Sequence, residues 1–506
     1  MSSILSHLPN GLAVLEDGSL VDENRYDQRY ARGHEPAPTN GKDLRTETER
    51  DRARIGYSPF LRRLAGVTQV MSPELTSSHL HTRASHSYKV AMVAREIAEH
   101  LVREARRDSA LADFILRMGG LDVTACEAAG LAHDLGHPPF GHIGEETLDR
   151  LLVKRIPEGF EGNAQSFRIV TKLDQHKPTF KGLNLTNVTL AAILKYPWGR
   201  DLAKTGSQKF NIYASEDADF TRAREAVIPG GDPVGDGDGD GDGDDQRPSQ
   251  TLEASIMDLA DDVAYSIHDL EDFFTHGIVD IPRTLEALNQ AAQHYKSNGE
   301  VSDDNPFVVV EEKLKRSSQF NRGDYGTALT FVRNKFNLIS TPEASPSAEL
   351  YRLELKAALN SLVAGYFGEL EYGDFDDGHR VRLKATQWHR MQVLKSITRQ
   401  YLVLTPKMGV MQQSQAVAIK QLFKGLERWL LALDSWGPLP ETFVVILEDL
   451  GAARPQAEKP LRRLDPAHYR AICDYICQMS DSEALRQSQW LSGTEVPGMS
   501  AIALTR

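Results

Sequence analysis

The sequence predicts an all-α protein. From Leu44 onward, apolar residues recur at i, i+3, i+4 and i+7 over long stretches, as in helices that bury one face. Alternating patterns of half-buried strands are scarce. Apolar residues make up 41% of the 506, enough for a large core, and the length allows two to four domains.

Taken in order, residues 1–45 read as an N-terminal arm, because Gly33-His34-Glu35-Pro36-Ala37-Pro38-Thr39-Asn40-Gly41 is turn chemistry without periodicity. Residues 46–280 read as a helical core. Within 85–101 one face carries His86, Val90, Val93, Ala94, Ile97 and Leu101, so His86 heads an apolar stripe. A lone histidine there is ordinarily a hydrogen-bonded core residue. Within 123–133, Cys126, Ala129, Gly130 and His133 share a face. His133 then opens the run His133-Asp134-Leu135-Gly136-His137-Pro138-Pro139-Phe140-Gly141-His142-Ile143-Gly144-Glu145, in which Gly and Pro end the helix. A third helix, 252–274, has the stripe Leu252, Ile256, Leu259, Ala260, Val263, Ile267, Leu270 and Phe274. Asp261 borders that stripe, and Tyr265 lies one turn further on. Residues 281–506 read as a C-terminal helical region. Its stretches 387–404 and 422–433 have apolar faces beyond what a metal core needs, and suit subunit contacts.

The chemistry concentrates in 133–145. Imidazole beside carboxylate holds a divalent metal that must keep positions open for water. An His-Asp pair alone means little in a chain with 16 histidines. With His86 and Asp261 from other helices, His133 and Asp134 would complete a two-histidine, two-carboxylate centre for one divalent ion. Mn²⁺ or Mg²⁺ suit it best, and Fe²⁺, Co²⁺ and Zn²⁺ are compatible. His142 and Glu145, three residues apart, would face each other on a helical turn, the carboxylate fixing the imidazole tautomer. His137 lies between the two groups as a further catalytic candidate.

Other features set bounds. The Gly/Asp tract within 229–249 resembles a calcium loop only in part: counted from Asp236, the closing position is Arg247, not an acid, so a solvated insertion is expected. The N-terminus shows no signal peptide, and no apolar run is long enough to span a bilayer. Cys126, Cys473 and Cys477 make no disulfide framework. The cytoplasm is the expected compartment. A net charge of -13 argues against a general nucleic-acid surface and requires cations gathered locally if the substrate is anionic.

The ordered motifs resemble one family. Thr82-Arg83-Ala84-Ser85-His86-Ser87, the 133–145 run and Phe160-Glu161-Gly162-Asn163-Ala164-Gln165 are similar to the deoxyguanosine triphosphate triphosphohydrolases of the HD superfamily. So are Asp51-Arg52-Ala53-Arg54-Ile55, Ser58-Pro59-Phe60-Leu61-Arg62-Arg63-Leu64, Thr68-Gln69-Val70, Ile193-Leu194-Lys195-Tyr196, Lys209-Phe210-Asn211-Ile212-Tyr213-Ala214-Ser215-Glu216, Ala260-Asp261-Asp262-Val263-Ala264-Tyr265-Ser266 and Asp474-Tyr475-Ile476-Cys477-Gln478-Met479-Ser480-Asp481. The likeness spans most of 50–480 and is mainly helical texture between about 280 and 465.

The resemblance implies an HD-domain core with His86, His133, Asp134 and Asp261 as metal ligands and His142 with Glu145 as the catalytic pair. It implies that Arg83, Asn163, Lys195, Tyr196, Lys209 and Tyr213 handle the triphosphate and its surroundings, and that Gln69 and Tyr265 sit at the deoxyribose. It also implies cleavage to deoxynucleoside and tripolyphosphate, a symmetric homo-oligomer, often a hexamer, and room for a deoxynucleotide or single-stranded DNA effector. No membrane partner is expected. One departure is Gly159 before Phe160, where some relatives have a histidine. Two other readings use the same residues. One is a different HD nucleotide phosphohydrolase or phosphodiesterase. The other is a nucleotide- or single-stranded-DNA-sensing protein that uses the ligands for binding alone.

Overall fold

In the computed structural model, helices dominate, as expected. The structure describes residues 4–34, 43–69, 82–200, 209–228, 248–275, 281–297, 301–338, 347, 349–350, 353–354, 357, 361, 365–366, 368–399, 406–431, 438–453 and 461–495. Of the Gly/Asp insertion, 229–247 lie outside the described residues.

The chain forms two units that interleave in sequence, where the sequence reading drew consecutive segments. The first comprises Met1–Tyr26, Tyr88–Gly130 and Ser249–Gly409; the second comprises Asp27–Ser87, Leu131–Pro248 and Val410–Arg506.

In the first unit, part of the expected arm is a sheet. Strands β1 (Ile4–His7), β2 (Ala13–Leu15), β3 (Leu20–Val21) and β4 (Gly120–Leu121) pair antiparallel in that order. These strands are two to four residues long, too short for a period-two pattern to register. The helix Leu252–Thr275 packs on Ala385–Thr398 and on β6 (Val381–Leu383), which pairs antiparallel with β5 (Leu370–Tyr372) in a hairpin. His379, in the hairpin turn, ties them together: Nε2 lies 3.2 Å from Asp258 Oδ2 and Nδ1 3.0 Å from Asp377 Oδ1.

The second unit is helical and has its own core. Leu148, Leu152 and Phe160 pack with Leu422, Phe423, Leu426, Ile472 and Ile476, all buried. Its helices start where the sequence supplies caps. Thr46 and Glu49 form a capping box before Glu47–Gly56, Ser58 and Pro59 open Pro59–Arg63, and Ser480 with Glu483 opens Asp481–Ser492. The helix Arg83–Ala105 brings His86 into this unit, and Val123–Ala132 delivers His133 at its end. No described helix is long and apolar enough to cross a membrane.

Candidate metal centre and catalytic loop

The site is built on the second unit's segment 131–145. After Val123–Ala132 the chain turns through His133 and Asp134 into the helix Gly141–Leu152. Gly136 presses against the helix Gly162–Arg168: a Cβ there would lie 2.2 Å from Gly162 O and Ser166 N, so only glycine fits. Ser166 Oγ accepts from Gly136 N–H at 2.8 Å and donates to His133 O at 2.7 Å. Phe140 and Gly141 both have positive φ, 64° and 56°, which aims the next helix and with it His142.

Two anchors hold this loop. Arg63 donates to Leu135 O at 2.9 Å, His137 O at 2.7 Å and Met479 O at 2.9 Å. Burial pushes its guanidinium down to about 10. Asp481 accepts from Phe140 N–H at 2.7 Å and Thr68 N–H at 3.0 Å. Further out, Arg168 forks onto Asp474 and pairs with Glu216 at 2.9 Å. The N- and C-terminal motifs therefore brace the histidine loop.

Two donor groups result. The ligand atoms of His86, His133 and Asp134 lie within 4.8 Å of one another, and so do those of His137, His142 and Glu145. His86, His133 and Asp134 are 3–4% exposed. The His86 and His133 rings meet edge-on at 5.6 Å. Against the burial that would raise it, His137, Arg83 and His133 hold the Asp134 carboxyl well below the usual carboxylate range. Burial, with Arg83 adding to it, pushes His137 down to about 4, so its imidazole is neutral at pH 7. Two imidazoles and an ionised carboxylate, converging in a buried space, are a donor set that fits a divalent cation. Asp261 and Tyr265 belong to the first unit, half-buried one turn apart on Leu252–Thr275.

The second group pairs an exposed imidazole with a mostly buried carboxylate. His142 is 68% exposed, and its Nδ1 lies 3.1 Å from Glu145 Oε2. A carboxylate there requires Nδ1–H and leaves Nε2 for proton transfer. Glu145 also receives Lys209 Nζ at 2.7 Å. Although burial opposes it, Lys209 and His142 hold Glu145 well below the usual carboxylate range.

The other expected residues fall as follows. Arg83 is buried and spends its guanidinium on Asp134 Oδ2 at 2.7 Å and Thr68 O at 3.1 Å, and Nη2 makes no hydrogen bond among the described residues. Asn163 Nδ2 donates to Glu161 Oε1 at 2.8 Å. Lys195 lies 5.9 Å from the Tyr196 ring centre, and Tyr196 N–H donates to Asn211 Oδ1 at 2.7 Å. Tyr213 is buried, its hydroxyl donating to Glu161 O at 3.3 Å and its ring covered by Arg470 at 3.7 Å. Gln69 keeps a buried Oε1 without a hydrogen-bond partner among the described residues. Gly159 has φ +59°, and a Cβ there would lie 2.1 Å from Asp149 Oδ1, so a histidine would not fit without rearrangement. Sequence reasoning gave no role to Arg63, Glu161 or Asp481, whose partners are distant in sequence or lie in another motif.

The comparisons agree with this geometry. Residues 83–205 match the HD domain, and 381–490 match the phosphohydrolase-associated domain. The chain is 30% identical over 456 residues to a deoxyguanosinetriphosphate triphosphohydrolase-like protein of Corynebacterium efficiens, covering 89% of this chain and 92% of that one. A similarly named Vibrio cholerae protein is 29% identical over 91% of this chain and 96% of its own length. One from Streptomyces coelicolor is 39% identical over about half of each chain, 50% and 53%. The fold and site thus define an HD-domain hydrolase with a donor set compatible with a divalent metal. Within that class, the chain belongs to the deoxyguanosinetriphosphate triphosphohydrolase-like family.

Proposed function

We propose that this protein hydrolyses deoxynucleoside triphosphates to deoxynucleoside and tripolyphosphate. The observation that carries the reading is that His137 links the His86-His133-Asp134 cluster to the His142-Glu145 pair, its Nδ1 2.9 Å from Asp134 Oδ1 and its ring centre 5.4 Å from that of His142. His86, His133 and Asp134 would hold one Mn²⁺ or Mg²⁺, with Asp261 as fourth ligand on the strength of the sequence motif. Bound there, the ion would supply positive charge at the phosphate and lower the pKa of a coordinated water.

The chain's own residues do the rest. His142 moves a proton at Nε2, and Glu145 fixes its tautomer and stabilises the imidazolium. Lys209, next to Glu145, and Lys195 bring positive charge to an acidic protein, where a triphosphate of nearly four charges needs it. Arg83, committed to Asp134, acts on phosphate through the loop's charge balance. Asn163, Tyr196 and Tyr213 line the triphosphate's surroundings, and His137 stays neutral between the two groups. Gln69 and Tyr265 are read as sugar contacts, Tyr265 crowding a 2'-hydroxyl. The reading places this activity in the cytoplasm, on a catalytic core of residues 46–280, in a homo-oligomer, with a deoxynucleotide or single-stranded DNA as effector.

Incubation with each deoxynucleoside triphosphate and several metals, followed by anion-exchange separation, tests the reading. Tripolyphosphate as the first product supports it. Orthophosphate alone, or no turnover of any of them, refutes it.

A further inference from the structure

Lys209 is the meeting point of two buried carboxylates. Its Nζ lies 2.7 Å from Glu145 Oε1 and 2.9 Å from Glu161 Oε1. Glu161 is 1% exposed, so little solvent disperses its charge. It also accepts from Asn163 Nδ2 at 2.8 Å and caps Gly162–Arg168 through the Asn163 and Ala164 N–H groups. The helix Gly141–Leu152 presents Glu145 to this cluster, with His142 bound to Glu145 and His137 Nε2 3.9 Å from it. Residues 209–213 present Lys209 and the Tyr213 hydroxyl, and Arg470 lies on the far side of the Tyr213 ring. Two carboxylates sharing one ammonium leave one surplus negative charge, beside a site read as binding a polyanion.

We propose that Glu161 is a positioning residue whose proton sets how firmly this site holds a polyphosphate. With Glu161 protonated, Lys209 answers to a single carboxylate and can turn to phosphate. With Glu161 ionised, both carboxylates retain Lys209 and the surplus charge repels the ligand. The inference rests on the part of the proposed function that gives Lys209 to phosphate. Burial raises Glu161 to about 7 against the pull of Lys209, with the charge of Glu145 adding to the rise, so the change falls near neutral pH. A purely structural cap would behave otherwise. Glutamine retains the accepting oxygen, so Glu161→Gln would leave a mere capping role intact at every pH.

The test is calorimetric titration of inorganic tripolyphosphate into the full chain with divalent metal supplied, from about pH 6 to about pH 8.5, for wild type and Glu161→Gln. The ligand's own ionisation is common to both proteins and cancels in the ratio of their Kd values. That ratio, wild type over variant, is expected near one at the acidic end and to climb above neutrality, approaching about tenfold per pH unit. A flat ratio, or a variant that binds more weakly throughout, overturns the proposal. Lys209→Gln, at a partly exposed position, is the second variant and decides the matter should Glu161→Gln fail to fold. It is expected to bind more weakly and to lose this pH dependence, and retention of the wild-type profile overturns the proposal. The readout involves no turnover. A protein that shows the climbing ratio but releases no tripolyphosphate from nucleotides keeps this inference and loses the proposed reaction.

Discussion

At the scale of single residues, the segment 133–145 divides into an exposed part and a buried part. His142 is exposed and oriented by Glu145, whereas His133 and Asp134 are buried beside His86. His142→Ala should therefore lower kcat by about a hundred- to ten-thousandfold while leaving bound metal unchanged by elemental analysis. His133→Ala should remove the metal as well. If the two variants lose metal equally, the division is wrong. The types and spacing of these side chains were legible in the sequence because three histidines and two carboxylates crowd one short run at the end of an apolar helix. The state of Arg83 was not legible. A buried guanidinium already bonded to Asp134 looks, in sequence, like any cation ready for phosphate.

At the scale of elements, loop geometry depends on anchors far away in sequence. Asp481 holds the Phe140 and Thr68 N–H groups, and its removal leaves both buried without an acceptor. Asp481→Ala should cost about 1–3 kcal/mol for each unsatisfied donor, read from the denaturant midpoint, and reduce turnover as His142 loses its aim. Unchanged stability and turnover would remove Asp481 from the account. The hairpin turn offers a pH test. Despite burial that would lower it, bonds to Asp258 and Asp377 raise His379 from 6.5 to about 10. Its contribution to stability is whole below about pH 6.5 and is lost as pH climbs through about 10. Wild type should lose more stability over that window than His379→Gln in urea unfolding; parallel losses would contradict this. Helix periodicity made Arg83–Ala105, Val123–Ala132 and Leu252–Thr275 legible as helices, although the first runs past both ends of the stripe read over 85–101. The strands Ile4–His7, Ala13–Leu15 and Leu20–Val21 were read as arm because so few residues carry no period.

At the scale of the molecule, the C-terminal region is more than an appendage. Leu422, Phe423, Leu426, Ile472 and Ile476 share one buried core with Leu148, Leu152 and Phe160, which flank the histidine-rich segment. A chain ended after residue 405 should expose that face, bind a hydrophobic dye and lose hydrolysis. A truncated protein that stays folded and active would refute this. The interleaving was illegible because helical texture names no partner: the stripe on Pro406–Leu431 fits any apolar face. The claim on which all scales converge is that His86, His133 and Asp134 hold a divalent ion that hydrolysis requires. Its most direct test is tripolyphosphate release from a deoxynucleoside triphosphate by chelator-stripped protein, before and after manganese or magnesium is restored. Activity near background is expected when the protein is stripped, with recovery on metal addition; full activity in the stripped protein would contradict the claim.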